Sequence, residues 1–303
     1  MKKRRQHHVW QYYLKAWATD GQIFCLRAGK IFLTNTVNIA QDRDFYKLPQ
    51  LTKDDIALAQ FMIANNANPY AKQSQEQFLA DITKPMTMYE RIRMRLTAPE
   101  ELDAAIDVYR TNALEDLHAG IESKFMPLLD RIRADDLSFY EDTNDCIAFT
   151  HFIAVQYMRT KAIRDRTLKL NRATNLPDLG PIWNLLTYMY SMNIGCSLYL
   201  ERKRRKLVLL HNNAGVAFIT GDQPATNLHG GGTSPPETLS IYYPMSPTLA
   251  LILSEEDKEP LYSTETLTAE DVKKLNARMA EVSHSQVFGH SEASLLALIP
   301  SAR

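Results

Sequence analysis

Gln22-Ile23-Phe24-Cys25-Leu26-Arg27-Ala28-Gly29-Lys30-Ile31-Phe32-Leu33-Thr34 reads as two β-rich runs around a two-residue Ala-Gly turn, the signature of a β-hairpin. An isolated hairpin is marginal in water and needs more strands or a helix against it. The nearest further strand signal is Phe45-Tyr46. After it the period changes. Thr52-Lys53-Asp54-Asp55 carries the capping pattern of a helix start, with acidic residues in the first turn. Helices are predicted over 75–96, 99–116 and on to 134, 144–171 and 179–206, with Pro85 ending or kinking the first. Asn175-Leu176-Pro177-Asp178 reads as a loop. The segment 7–19 reads as a short helix or an extended arm.

Strand patterns return only after residue 206. The runs 207–210 and 216–220 flank a hairpin-like loop, His211-Asn212-Asn213-Ala214-Gly215. Two further strands are predicted over 239–243 and 248–253, a helix over 268–287, and a last strand over 294–299 that closes the sheet. His229-Gly230-Gly231-Gly232-Thr233-Ser234-Pro235-Pro236 is a loop excursion. The simplest way to satisfy both ends is to pair them. The expected fold is α+β: a large central helical block packed with an antiparallel sheet built from the N-terminal hairpin and the C-terminal strands. With no repeat and no long linker, the chain reads as a single domain over 1–303: arm and hairpin 1–50, helical block 51–206, sheet and helix 207–303.

Composition narrows the function classes. The 303 residues include 35 basic and 35 acidic ones, with 45% hydrophobic and 23% charged residues, an ordinary globular balance. A zero formal charge supplies no global field toward nucleic acid or anionic membrane. A nucleic-acid role would need a local patch; the runs Lys2-Lys3-Arg4-Arg5 and Arg202-Lys203-Arg204-Arg205-Lys206 read more simply as solvated surface. Cys25, Cys146 and Cys196 lack CxxC spacing, which argues against a disulfide framework or zinc site and for a reducing cytoplasm. The start is polar and aromatic rather than an apolar leader, and the apolar stretches are too short to span a bilayer.

Polar residues inside apolar segments form the candidate site. A buried polar group without a partner costs a few kcal/mol, so such residues are expected to converge. In the mid-chain helix Gln156 interrupts the stripe Phe149, Phe152, Ile153 and Ile163, and Arg159 follows one turn later. A buried arginine needs a carboxylate, and Asp222 and Asp44 are the expected partners. Asp222 follows Gly221 at a strand end; such a residue serves either as a functional carboxylate or as a turn former. Of the adjacent His7 and His8 only one can face the cluster; His7 is preferred, with Gln11 one turn on. Histidine suits acid–base work near neutrality, although a structural role is the commoner one. No histidine spacing matches a metal motif, so neither a metal nor a cofactor is expected. The pair of Asp222 and Glu256-Asp257-Lys258 only weakly imitates a metal-dependent nuclease trio.

Four blocks together resemble a known family. Gln6-His7-His8-Val9-Trp10-Gln11-Tyr12-Tyr13-Leu14, then Asn38-Ile39-Ala40 with Asp44-Phe45-Tyr46, then 152–160, and finally Gly221-Asp222-Gln223-Pro224 are similar in order and spacing to the bacterial domain of unknown function 4238 family. Trp10 stands where that family usually has proline. The resemblance implies a bacterial cytoplasmic protein with one site built from His7, Gln156, Arg159 and Asp222. It implies no activity; the occurrence of members among mobile or variable genes mildly favours a defence- or toxin-like role. The leading expectation is a hydrolase acting on nucleic acid or nucleotide without a metal. His7 would be its acid or base, Arg159 its phosphate anchor, and Asp222 would orient one of them, with Gln11, Asp44, Tyr46 and Gln156 in binding roles. The alternatives are a polar cluster that only clasps the N-terminal arm, and a small-anion or nucleotide sensor.

Overall fold

The computed structural model describes residues 1–230, 238–255 and 267–299. The chain opens with strand β1 (Arg5–His7) and one helical turn, α1 (Gln11–Leu14). The hairpin follows as β2 (Gln22–Arg27) and β3 (Lys30–Asn35), in register from Gln22↔Asn35 to Arg27↔Lys30. Ala28 (φ +49°) and Gly29 (φ +75°) are both left-handed at its turn, the backbone a two-residue hairpin loop demands. The strand expected at Phe45-Tyr46 lies slightly earlier, as β4 (Gln41–Arg43), antiparallel to β1. Asp44 (φ +57°) turns the chain out of it, so Phe45 and Tyr46 point inward from a turn.

The middle of the chain forms α2 (Lys53–Ala64), α3 (Pro69–Arg93), α4 (Glu100–Arg133), α5 (Thr143–Met158), α6 (Lys161–Arg172) and α7 (Trp183–Leu200). Thr52 and Asp55 complete the expected capping box of α2. Pro85 does not end α3, which runs through it, and α4 likewise contains Pro127. The helix expected over 144–171 is two. It breaks at Arg159-Thr160, where Thr160 takes extended backbone (φ −87°, ψ 157°). Helices α5 and α7 approach closely at Gly195, where a Cβ would stand 3.0 Å from His151 Cα. The core beside them is aromatic: Phe125 of α4 stacks on Phe152 of α5 with ring centroids 3.6 Å apart, and Trp10 meets Phe152 edge-on.

The C-terminal part contributes β5 (Arg205–His211), β6 (Thr220–Gly221), β7 (Thr226–Asn227), β8 (Ile241–Ser246), β9 (Leu249–Glu255), α8 (Ala269–Val282), β10 (Val287–Gly289) and α9 (Glu292–Leu296). The α+β class is observed, with the strands divided differently from expectation. One four-stranded sheet has the order β3-β2-β10-β6 and a second the order β5-β9-β8-β7. The N-terminal hairpin therefore joins only β10 and β6. The runs 207–210 and 216–220 do not pair with each other: β5 pairs with β9, and Phe218 N–H donates to Pro247 O instead. The helix expected over 268–287 ends at Val282, strand β10 begins at Val287, the last residue of that expected span, and α9 occupies the place of the expected last strand. Residues 231–237 of the glycine-rich excursion lie outside the described residues. No helix among the described residues is long and apolar enough to cross a membrane.

The N-terminal arm is fastened to the C-terminal part by side chains. Tyr13 Oη donates to Pro244 O at 2.6 Å, Trp17 Nε1 donates to Phe218 O at 3.0 Å, and Tyr13 stacks on Tyr243. The arm thereby spans the helical block and the second sheet, and presents His7 and Gln11 to α4.

Candidate active site

Helix α4 carries Glu115, His118 and Glu122 at spacings of three and four, a single stripe on its surface. Opposite them stand His7 of β1, Trp10, Gln11, Tyr12 and Lys15 of the arm, and Arg159 at the C-cap of α5. These residues and Ala119 line a cavity of about 260 Å³. The position of Arg159 is favourable for a cation: its N–H bonds to Val155 O, and the helix end concentrates partial negative charge there.

Arg159 is 2% exposed, and Glu122 Oε1 lies 2.7 Å from its Nη2. That carboxylate is the counter-charge of the guanidinium at Nη2, whereas Nε has no acceptor. His7 Nε2 and His118 Nδ1 are also buried without partners. Gln156, one turn before Arg159 and 1% exposed, has neither amide atom bonded. Native interiors rarely leave such groups unmade. Three of these residues, His7, His118 and Arg159, line the one cavity, whereas Gln156 lies outside its lining.

Burial sets the protonation states. It holds His7 below the ordinary histidine range, with the Arg159 charge adding to the effect, and pushes His118 well below it. Both imidazoles are neutral at pH 7. Burial pushes Glu115 up to about 7, although Arg159 pulls the other way, and it also raises Glu122. A carboxyl group titrating near neutrality beside a fixed cation is the usual equipment of an acid–base site. Among the described residues no three His, Cys, Asp or Glu side chains are placed to hold a metal ion.

The remaining residues singled out in the sequence fall in three places. Tyr46 is a supporting group: its hydroxyl donates to His7 O at 3.2 Å, its N–H to Gln6 Oε1 at 2.6 Å, and its ring lies 4.4 Å from that of His118. Gln6 Nε2 in turn donates to Thr111 O of α4, fixing β1 to that helix. Asp44 is away from the cavity; its carboxylate accepts from Arg4, with Nε at 3.0 Å. Asp222 is not the counter-charge of Arg159. It is 1% exposed and accepts from His284 N (2.7 Å), Ser285 N (2.9 Å), Ser285 Oγ (3.0 Å) and Gln286 N (3.0 Å). A Cβ on the preceding Gly221 would run into Ser283 Oγ, so only glycine permits this close approach. The expected pairing fails because Asp222 already meets a full set of backbone donors, whereas Glu122 projects from α4 into reach of Arg159. Glu256-Asp257-Lys258 lies outside the described residues.

Gln223 connects this knot to the site. It accepts from Thr160 Oγ1 and donates to Tyr157 O at 3.0 Å and Ala225 O at 2.8 Å. It thereby clamps the end of α5 that carries Arg159. Sequence reasoning missed Glu115 and Glu122. The available signal was two glutamates seven apart, each directly following an apolar core position of α4, Leu114 and Ile121.

The sequence profile of a family described as "Protein of unknown function (DUF4238)" matches residues 5–293. No curated protein and no solved structure matches the chain.

Proposed function

For a chain that belongs to the DUF4238 family, we propose that the cavity is an acid–base site for hydrolysis of phosphate esters in a nucleotide or nucleic acid. One observation carries this reading: buried Arg159, paired to Glu122 through Nη2, keeps Nε without an acceptor at the wall of a cavity that also holds Glu115, pushed up to about 7. A non-bridging phosphate oxygen would accept from the open Nε–H and set the guanidinium charge against the one developing in the transition state. Glu115 in its carboxylate form would take the proton of the attacking water. Neutral His7 would donate a hydrogen bond from Nε2 to the departing oxygen, and that oxygen would take its proton from Glu115, which received it from the water. Asp222 acts at a distance, through the backbone that it holds.

The test uses purified protein with bis(p-nitrophenyl) phosphate, mononucleotides and single- and double-stranded oligonucleotides, with and without EDTA. Glu115→Gln is expected to lower turnover by about 10²-fold or more, the usual share of a general acid or base. Full activity in that variant, or none in the wild type, sinks the reading. A defence- or toxin-like role fits such an activity; growth arrest on expression, relieved by Glu115→Gln, would support it. At Asp222 the structural alternative is the better supported, because four donors already occupy its carboxylate.

A further inference from the structure

The β1–β4 ribbon contains a charge conflict that the fold leaves standing. Its register pairs Arg5↔Arg43, Gln6↔Asp42 and His7↔Gln41. The bonds from Asp44 N to Arg4 O and from His8 N to Ala40 O make 4/44 and 8/40 hydrogen-bonded pairs. By alternation Arg5 and Arg43 form a non-hydrogen-bonded pair, in which Cα atoms stand about 4.5 Å apart and side chains are closest. Like charges directly opposite are destabilising. Neighbouring carboxylates do little to relieve the pair. Asp42 serves Lys161 at 3.1 Å, and Asp44 serves Arg4 and reaches Arg43 Nε only at 3.9 Å. The Arg5 side chain has no ion pair or hydrogen bond among the described residues.

The same alternation puts Arg5, Arg43, His7 and Gln41 on one face, with Gln6 turned into the core. His7 lines the candidate active site, and its pair-mate Gln41 lines a second cavity of about 470 Å³ shared with Arg4, Arg5, Arg43 and Asp42, whose carboxylate is taken by Lys161. Two cations, Arg5 without a counter-charge and Arg43 with only the 3.9 Å contact to Asp44, thus lie one strand repeat, about 7 Å, from a residue of the site. We infer that the Arg5–Arg43 pair is a phosphate rail, and that the substrate is a single-stranded nucleic acid laid along the ribbon with one nucleotide entering the cavity. This rests on the phosphate-ester reading above and names its substrate class. Single strands are favoured over duplex because the cavity, at about 260 Å³, has no room for a base pair within its stack. Its aromatic walls fit the same class: Trp10 and Tyr12 line it, and Lys15 and Arg133 stand 5.9 and 5.7 Å from the Tyr12 ring, the mixture of rings and cations that binds unpaired bases.

The experiment is fluorescence anisotropy with a labelled ten-residue oligothymidine across a salt series, with a hairpin duplex of equal charge and phosphatidylserine vesicles as competitors. Arg5→Gln/Arg43→Gln is expected to weaken oligothymidine binding at least tenfold at low salt. It should also reduce the slope of log K against log salt by about 1.4, that is 0.7 for each of two phosphate contacts. A melting temperature equal to or above wild type accompanies this, since the change removes a repulsion. Undiminished affinity in the double variant overturns the inference, as does a wild-type protein that ignores oligothymidine or prefers duplex or vesicles. The binding measurement needs no turnover. Inactivity toward small phosphodiesters would therefore remove the acid–base reading and leave the rail, whereas an unchanged salt slope removes the rail alone.

Discussion

Asp222→Ala is the sharpest test of how the site is held. The carboxylate accepts from three backbone N–H groups, of His284, Ser285 and Gln286, and from the Ser285 hydroxyl. Removing it leaves three donors without their acceptor at part-buried positions. An orphaned buried donor costs about 1–3 kcal/mol. Taking the low end of that range, about 1–1.7 kcal/mol for each because water reaches the exposed His284 and Ser285, and letting the serine hydroxyl rotate to another partner, gives a loss of about 3–5 kcal/mol. That is a large part of the 5–15 kcal/mol typical of a folded domain. With roughly 2–4 °C lost per kcal/mol in a chain of this order of size, the melting temperature should fall by about 6–20 °C. The assay is urea and thermal denaturation followed by circular dichroism. Asp222→Asn keeps one acceptor oxygen and should lie between wild type and alanine. A melting temperature for Asp222→Ala within a degree or two of wild type, with phosphoesterase activity abolished, would refute the structural reading and return Asp222 to the chemistry.

The other predictions concern the cavity and its frame. Glu115, raised to about 7 from an ordinary 4.5, favours the folded state fully below pH 4.5. Stability is then lost as pH rises through 7, by at most about 1.4 kcal/mol per pH unit; urea midpoints against pH should slope downward in the wild type and flatten in Glu115→Gln. Arg159→Met leaves Glu122 buried without its partner, and Glu122→Gln does the reverse. Each single change should cost about 3–5 kcal/mol, and the double variant less than their sum, in a denaturation cycle; strict additivity would mean that the pair does not interact. Gly195→Ala forces a methyl group against the His151 backbone and should cost about 1–3 kcal/mol by urea midpoint; a neutral result would mean that α5 and α7 can separate freely.

What was legible in the sequence is what is locally encoded. The hairpin announces itself through alternating β-branched and aromatic residues around Ala28-Gly29, and Thr52 with Asp55 forms the capping box that its spacing suggests. Arg159 and Gln156 were legible as polar interruptions of an apolar stripe, and both are buried. What failed depends on partners far away in the chain. Strand β10 has only three residues and begins at the last residue of an expected helix; it is a strand because β2 and β6 flank it. Glu122 could not be matched to Arg159 from spacing, because the two lie on different helices whose packing is set by Phe125 against Phe152. Asp222 looked like a counter-ion because no local pattern reveals three amide donors arriving from residues 284–286.

Those distant ties also fix an order of events. Trp17 is bonded to Phe218, 201 residues later, Tyr13 to Pro244, 231 residues later, and Ala40 N–H to Gln286 Oε1, 246 residues later. At about 5–20 residues per second, some 12–46 s of synthesis separate Tyr13 from its partner. During that interval Trp10, Tyr13, Leu14 and Trp17, all buried at the end, have no surface to cover them. The cavity wall that the arm supplies is consequently among the last parts of the molecule to be assembled.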